Sequence, residues 1–241
     1  MEHGGKGLDT QGSAKCYDQT MCGRFTLTKS GEEIADELGV EAPPEPIPPR
    51  YNIAPTEQGI VVVNRVPPKL ARFRWGLIPH WAKDHKIGHK MINARAESLA
   101  ERSAFRGSLE RKRCLVVADG FYEWRRAGKK RSTPFYVRVG GGNLFTMAGL
   151  WDGWKAPNDE VLRTFTIVTT DANELVSRIH DRMPVILPPE HREAWLAPEP
   201  RTYEELAPLL VPFAARDLEA YEVSTLVNKP GVEGPELVAP V

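Results

Sequence analysis

The stretch CLVVADGFYEW, residues 114–124, joins an apolar run to an aromatic run and is typical of buried β-structure. Strands outnumber the predicted helices and do not alternate with them regularly, which argues against a doubly wound parallel sheet. The sequence therefore predicts an α+β fold, a single β-rich domain with antiparallel or barrel-like sheets and a few short peripheral helices. Five further runs are interpreted as strands: IVVVNR (60–65), PFYVRV (134–139), LFTMAGLW (144–151), TFTIVTT (164–170) and MPVILP (183–188).

Four segments carry the signals that begin and end short helices. The clearest is SGEEIADELG, where Ser30 and Glu33 stand in capping-box positions and Gly39 follows the last apolar residue. The proline-rich segment 41–56 is too stiff for a helix, and we interpret it as an extended segment laid across the domain. The four predicted helices are 30–39, 171–180, 189–197 and 202–210.

Length and composition exclude several classes of protein. The 241-residue chain can bury a sizeable core, and none of its apolar runs approaches the roughly 18 residues that span a bilayer. Residues 1–20 form a polar leader without the apolar centre of a secretory signal. Three cysteines cannot build a disulfide framework. We therefore expect a cytoplasmic protein, nucleoid-associated if its source is bacterial.

The net charge of zero hides a basic region. Residues 101–138 carry 11 Lys and Arg against 4 Asp and Glu, a local charge of +7. Its runs ERKR (110–113) and RRAGKKR (125–131) have the charge to hold a phosphate backbone, although a solvated hairpin tip would have the same composition.

Several single residues are candidates for chemistry, each with a structural alternative. Glu123 lies in an aromatic strand, where a carboxylate is either paired, exposed or functional. His180 is an acid–base candidate or a structural residue at a helix end. Asn93 and Arg95 form a polar recognition cluster or cap a turn. The tryptophans of RWGLIPHW (74–81) stack on bases or belong to the core.

Taken together and in order, nine segments resemble the SRAP (SOS-response-associated peptidase) family. The resemblance covers residues 21–238, which we take as the domain, and leaves the leader 1–20 outside it. The segments are MCGRF (21–25), YNIAPT (51–56), RWGLIPHW (74–81), INARAES (92–98), ADGFYEW (118–124), AGLW (148–151), FTIVTTDAN (165–173), IHDRMPVIL (179–187) and VNKPGVEGPEL (227–237).

The resemblance implies a sensor that shields abasic sites in single-stranded DNA by a covalent link through an N-terminal cysteine. Cys22 would supply both an α-amine and a thiol, which close a thiazolidine on the aldehyde of the ring-opened sugar. The family pattern implies that Glu123 transfers protons, that His180 promotes ring opening and that Asn93 orients the cysteine.

The same resemblance assigns the contacts with DNA. Arg24 and Arg95 match phosphate-contacting arginines, whose planar fork suits that purpose. Trp75 and Pro55 match a surface wedged against bases that flank the lesion. The chemistry calls for no metal and no cofactor. The expected partner is single-stranded DNA with abasic sites, bound by a monomer and away from membranes.

Two other readings stay open at this point. In the first, Cys22 is the nucleophile of a cysteine-type peptidase that removes the preceding residues of its own chain. In the second, the chain is a non-covalent nucleic-acid-binding module that uses the basic segment 101–138. Because a thiazolidine needs a free α-amine on Cys22, we expect Met21 to be the initiator or the leader to be cleaved.

Overall fold

A computed structural model describes residues 23–128 and 131–241. The leader, Met21 and Cys22 lie outside these residues, so the expectations about them stay predictions. The described chain forms thirteen strands: β1 (Arg24–Leu27), β2 (Arg50–Ile53), β3 (Gln58–Val63), β4 (Lys69–Trp75), β5 (Asn93–Arg95), β6 (Arg113–Ala118), β7 (Gly120–Ala127), β8 (Arg131–Val139), β9 (Phe145–Lys155), β10 (Val161–Asp171), β11 (Arg182–Pro184), β12 (Ile186–Leu187) and β13 (Leu218–Glu222).

Five of these strands close into a barrel. The ring runs β10–β4–β3–β6–β9 and closes because β9 also pairs with β10. The strands β5, β11 and β12 extend the barrel sheet, and a separate five-stranded sheet has the order β13–β8–β7–β1–β2. Nearly all pairings are antiparallel; β10 runs parallel to β4 and β5. The predicted α+β class with barrel-like sheets is confirmed.

The helices are α1 (Gly31–Leu38), α2 (Ser103–Arg111), α3 (Pro189–Leu196) and α4 (Tyr203–Leu206). The predicted capping box of α1 is present, with Ser30 and Glu33 each accepting a backbone hydrogen bond from the other. Helix α3 is confirmed, and α4 covers the first part of 202–210 before a 3-10 turn. No helix in the described part of the chain has the length and apolarity of a membrane-spanning segment.

The predicted helix 171–180 is wrong. Asp171 is the last residue of β10 and pairs with Arg182 on β11. The side-chain oxygen of Asn173 accepts hydrogen bonds from the backbone of Leu175 and Val176, and this cap supports only a single 3-10 turn, Val176–Arg178. The remaining residues form a loop that carries His180.

The stretch 114–124 is divided between the two sheets at Asp119. Residues before it belong to β6 in the barrel, and residues after it belong to β7 in the five-stranded sheet. The buried Asp119 carboxylate accepts hydrogen bonds from the hydroxyls of Thr26 and Thr28 at 2.5 and 2.6 Å, so it fastens β1 at the crossing. A Cβ on Gly120 would lie 2.0 Å from the Tyr136 hydroxyl oxygen, so only glycine fits there.

One main core fills the barrel and extends under the five-stranded sheet. Phe25 of β1 packs edge-on against Trp75 at 5.2 Å, and Trp75 stacks parallel to Phe165 at 6.3 Å. A second, smaller cluster lies beneath the C-terminal segment and contains Tyr122, Tyr136, Val223, Val227 and Leu237.

A buried arginine joins the barrel to the helices. Arg113 begins β6 with no exposed surface, and its guanidinium donates hydrogen bonds to five backbone carbonyls. These carbonyls belong to the end of α2 and to the end of α3 with the loop that follows. Burial, together with the nearby charge of Arg201, lowers the pKa of Arg113 to about 10. The accepting residues are Leu109, Glu110, Trp195, Ala197 and Glu199.

Candidate functional site

An arginine-rich cleft of about 480 Å³ opens where the end of β7 meets β5 and the loop 172–181. It brings together two of the predicted site residues, Arg95 and His180. Four arginines face a single carboxylate, so the cleft favours an anionic ligand. Its lining residues are Arg95, Trp124, Arg125, Arg126, Arg178, Ile179, His180 and Asp181.

Glu123 lies one residue before the part of β7 that lines the cleft. It is 1% exposed, and on its strand it stands between Tyr122 and Trp124. Because side chains alternate across a strand, Glu123 faces away from these two aromatic residues. Its burial one residue before the cleft, on the strand that pairs with β1, marks Glu123 as a functional candidate.

The chain enters β1 beside this carboxylate. In the pairing of β1 with β7, Arg24 stands opposite Tyr122 and Phe25 opposite Phe121. The same antiparallel register, continued by one residue, sets the buried Gly23 opposite Glu123. Cys22, which lies outside the described residues, is bonded to Gly23. The first described residue of the chain, Gly23, therefore lies opposite Glu123 in this register.

His180 occupies the loop between β10 and β11 and is about one-fifth exposed, with a side-chain relative accessibility of 21%. Its Nδ1 accepts a hydrogen bond from the backbone N–H of Arg182 at 3.1 Å and lies 3.0 Å from the Asp181 carboxylate. In the neutral ring Nδ1 is the acceptor, and in the charged ring it donates to Asp181. In both forms Nε2 carries a proton, and it is the nitrogen left for a ligand.

Arg182 holds the two sides of the cleft together. Its guanidinium donates to Asp171 at 2.5 Å, to Glu97 at 2.8 Å and to the Thr169 carbonyl at 2.9 Å. Burial pushes the pKa of Glu97 upward, but the hydrogen bond and charge of Arg182 outweigh it and lower the pKa. The loop with His180 is thereby tied to the residues that follow β5.

Asn93 and Arg95 both lie on β5, which pairs with β10 through Ile167 and Thr169. As residues i and i+2 of a strand, they share one face. Arg95 is exposed at the cleft, and Asn93 is half-buried two residues earlier. The structure therefore places the predicted asparagine and arginine on the side of β5 that leads into the cleft.

Arg24 and Pro55 belong to a neighbouring part of the surface. Burial lowers the pKa of Arg24, and the nearby charge of Glu57 partly opposes this effect. Glu57 also accepts hydrogen bonds from Arg50 and from the Ala54 backbone, which fixes the turn that carries the half-buried Pro55. Arg24 therefore lies near this turn.

Trp75 requires a correction, because the structure places it in the core and not on a surface that bases can reach. It has no exposed surface, and its indole N–H donates to the Ile92 carbonyl at 2.8 Å. Trp81, at the other end of RWGLIPHW, is 51% exposed. Alternation in β4 turns Trp75 inward, whereas Trp81 follows the end of that strand and stays accessible.

Other cleft residues were missed as individual candidates. Trp124, Arg125 and Arg126 directly follow Glu123, and the basic run that begins at Arg125 was the sequence signal for them. Trp124 is held by a hydrogen bond of 2.7 Å from its indole N–H to Asn228. Arg125 stacks on Phe135 with its guanidinium 4.7 Å from the ring centre.

The third cysteine of the chain is unsuited to nucleophilic chemistry. Cys114 is fully buried in β6, and burial raises the pKa of its thiol. The described residues include no group of three side chains that could hold a metal ion.

Comparison with known proteins identifies similar chains. The model of the family "SOS response associated peptidase (SRAP)" matches residues 21–230. The abasic site processing protein YoqW of Bacillus subtilis is 46% identical over 221 residues, which cover 90% of this chain and 99% of that protein. The abasic site processing protein HMCES of Gallus gallus is 34% identical over 226 residues, covering 80% of this chain and 66% of that protein. A crystal structure of a protein from Bacteroides thetaiotaomicron superposes with a TM-score of 0.82 at 28% identity, covering 91% of this chain and all of that one.

Proposed function

The chain belongs to the SRAP family, and from this premise we propose that it processes abasic sites by linking itself covalently to them in single-stranded DNA. The relatives named abasic site processing proteins support the processing role. The covalent step, the part played by Cys22 and the preference for single strands are our inference. The observation that carries it is the buried Glu123, opposite the entry of the chain into β1 and beside an arginine-rich cleft.

The reaction uses both nucleophiles of an N-terminal Cys22. The α-amine adds to C1′ of the ring-opened sugar, and loss of one water gives an imine. The thiolate then attacks the imine carbon, the C–S bond closes a five-membered ring, and the nitrogen takes up a proton. An α-amine has a pKa of about 7.7–8.0, so a useful fraction is neutral at physiological pH.

The described residues supply the proton transfers. Glu123 accepts a proton from the α-ammonium group and returns one to the hydroxyl that leaves as water. His180 donates through Nε2 to the sugar oxygen and so favours the open-chain aldehyde. Asn93, on the cleft side of β5, orients the reacting cysteine by hydrogen bonding.

The surface chemistry suits a single strand. Arg24 and Arg95 contact phosphates, and the arginines of the cleft add charge along the same path. The exposed Trp81 takes the base-stacking role in place of the buried Trp75, together with the Pro55 turn. Bases next to the lesion are accessible to such a wedge only when they are unpaired.

Adduct formation through Cys22 requires an aldehyde in the DNA, and matched substrates test this requirement. We expect the chain that begins at Cys22 to give a heat-stable adduct with an abasic single strand on a denaturing gel. The same strand with a tetrahydrofuran in place of the abasic sugar has no aldehyde and should give none. Equal retention of both strands, lost at high salt, would instead identify a non-covalent binding module.

A further inference from the structure

A compact lobe, residues 79–90 (PHWAKDHKIGHK), projects between β4 and β5. Apart from Trp81, the proposed function uses none of it. We refer to it as the histidine–lysine lobe, because it contains three histidines and three lysines but only one acidic residue, Asp84. Its position and charge point to a second contact with DNA.

The lobe is anchored firmly to the barrel. The indole N–H of Trp154 donates to the Ala82 carbonyl at 2.7 Å, and the buried Asp152 accepts from the His80 backbone at 2.8 Å. The backbone at Gly88, near the end of the lobe, packs closely against Gly76, which precedes the lobe: a Cβ on Gly76 would lie only 2.6 Å from the Gly88 carbonyl oxygen. A surface held in this way loses little conformational entropy on binding.

Asp152 is the central anchor, and its charge is kept. Burial pushes the pKa of Asp152 upward, but hydrogen bonds from Lys112 and from the backbone and ring of His80 outweigh burial and lower the pKa. Lys112 lies 2.5 Å from one carboxylate oxygen, and His80 Nδ1 lies 3.0 Å from the other. The Asp152 carboxylate is thus paired with Lys112 and His80, and it does not offset the positive charge at the surface of the lobe.

The three lysines of the lobe remain available. Lys83, Lys86 and Lys90 are exposed, and none makes an ion pair among the described residues. By contrast, Lys29, Lys112 and Lys155 are each paired with a carboxylate. Asp84 accepts from the Lys86 backbone at 2.9 Å and lies 3.4 Å from His85, so it serves the lobe's own turn.

The lobe adjoins the candidate site. It leads directly into β5, and Lys90 precedes Asn93 by only three residues, a separation of at most about 11 Å along the chain. The exposed Trp81 stands on the same lobe. Trp81 and the three lysines therefore belong to one segment, which leads at Lys90 into the strand that carries Asn93 and Arg95.

We propose that the histidine–lysine lobe binds the sugar–phosphate backbone of the DNA that flanks the lesion. Lys83, Lys86 and Lys90 each neutralise a phosphate beyond those held in the cleft. The partner class is a polyanionic strand and not an acidic protein, because an aromatic side chain with a free face stands among the cations. This inference rests on the proposed function, since the cleft must first hold the lesion.

Binding measurements with two lengths of DNA test the lobe. Both strands contain a tetrahydrofuran site, so that no covalent step occurs; one is just long enough to fill the cleft, and the other is extended on both sides. We expect the extended strand to bind the wild-type chain more tightly. In the triple variant Lys83→Glu, Lys86→Glu, Lys90→Glu, the ratio of the affinity for the extended strand to that for the short strand should fall at least about tenfold. The salt dependence, the slope of log K against log [salt], should fall by about 2.

A matched control lies at the opposite end of β4. Arg65 and Lys69 are also exposed, and the double variant Arg65→Glu, Lys69→Glu should keep the gain from extension and the wild-type slope. A triple variant that keeps both would overturn the inference, as would one that weakens the short and extended strands equally. Adduct formation is assayed separately on abasic DNA with the wild-type chain, so failure of the covalent proposal would be seen independently of the lobe.

Discussion

Replacing Glu123 by glutamine is expected to slow adduct formation with abasic single-stranded DNA by about 10²- to 10⁴-fold, the range for loss of a positioned acid–base group. Glutamine has nearly the same size and keeps a carbonyl oxygen, but it cannot take a proton from the α-ammonium group. Single-turnover rates on a denaturing gel, at saturating DNA, isolate the covalent step from binding.

The exposed Glu160 provides a control for this substitution. Glu160→Gln removes the same charge from the chain and should leave the rate within about twofold of wild type, as surface changes usually do. Thermal unfolding checks that the Glu123→Gln variant stays folded. A folded Glu123→Gln variant with the wild-type rate would remove Glu123 from the proposed chemistry.

Replacing Arg113 by methionine should lower the free energy of unfolding by about 3–5 kcal/mol, because it removes the donor of a buried hydrogen-bond network and leaves carbonyl acceptors unsatisfied. Five backbone carbonyls would lose their hydrogen-bond donor at once. Part of this loss in stability is offset, because the variant no longer has to bury a charged guanidinium. For a domain of this size the melting temperature should fall by about 10 °C.

Arg111 makes the comparison specific, because it is exposed in the last turn of α2, two residues before Arg113. Arg111→Met changes the same side chain at the surface and should alter the free energy of unfolding by less than about 0.5 kcal/mol. Denaturant unfolding of both variants measures the difference. Equal stabilities would mean that the buried guanidinium does not fasten the helices to the barrel.

The fold class could be predicted because runs such as 60–65 and 164–170 are apolar enough to identify themselves as strands. The division of 114–124 between two sheets could not, because it depends on Thr26 and Thr28, which reach Asp119 from more than 90 residues away. The local sequence ADG predicts a turn, but it does not predict that the chain passes from one sheet to the other there. Barrel closure likewise depends on β10 pairing with both β4 and β9.

The short strands β1 and β5 lacked a detectable pattern, because three or four residues are too few for a period. The predicted helix 171–180 is wrong because capping residues mark where a helical turn begins but do not determine how many turns follow. For the site, the residue types in ADGFYEW and IHDRMP identified Glu123 and His180 as candidates, and the roles that the family resemblance gives them stay predictions. The choice of Trp75 over Trp81 failed because exposure of an aromatic residue is set by tertiary packing.

In the proposed reaction Cys22 acts as residue one, with its α-amine and thiol together. The most direct test of this reaction is mass analysis of the adduct between the chain that begins at Cys22 and an abasic single strand. We predict a mass equal to protein plus DNA less one water, a remnant on the Cys22 peptide, and no gain of hydrogen on borohydride treatment. A chain that keeps residues 1–21 and the variant Cys22→Ala should give no such adduct. A remnant on another residue, or an undiminished adduct from Cys22→Ala, would show that Cys22 is not the residue that links to the DNA.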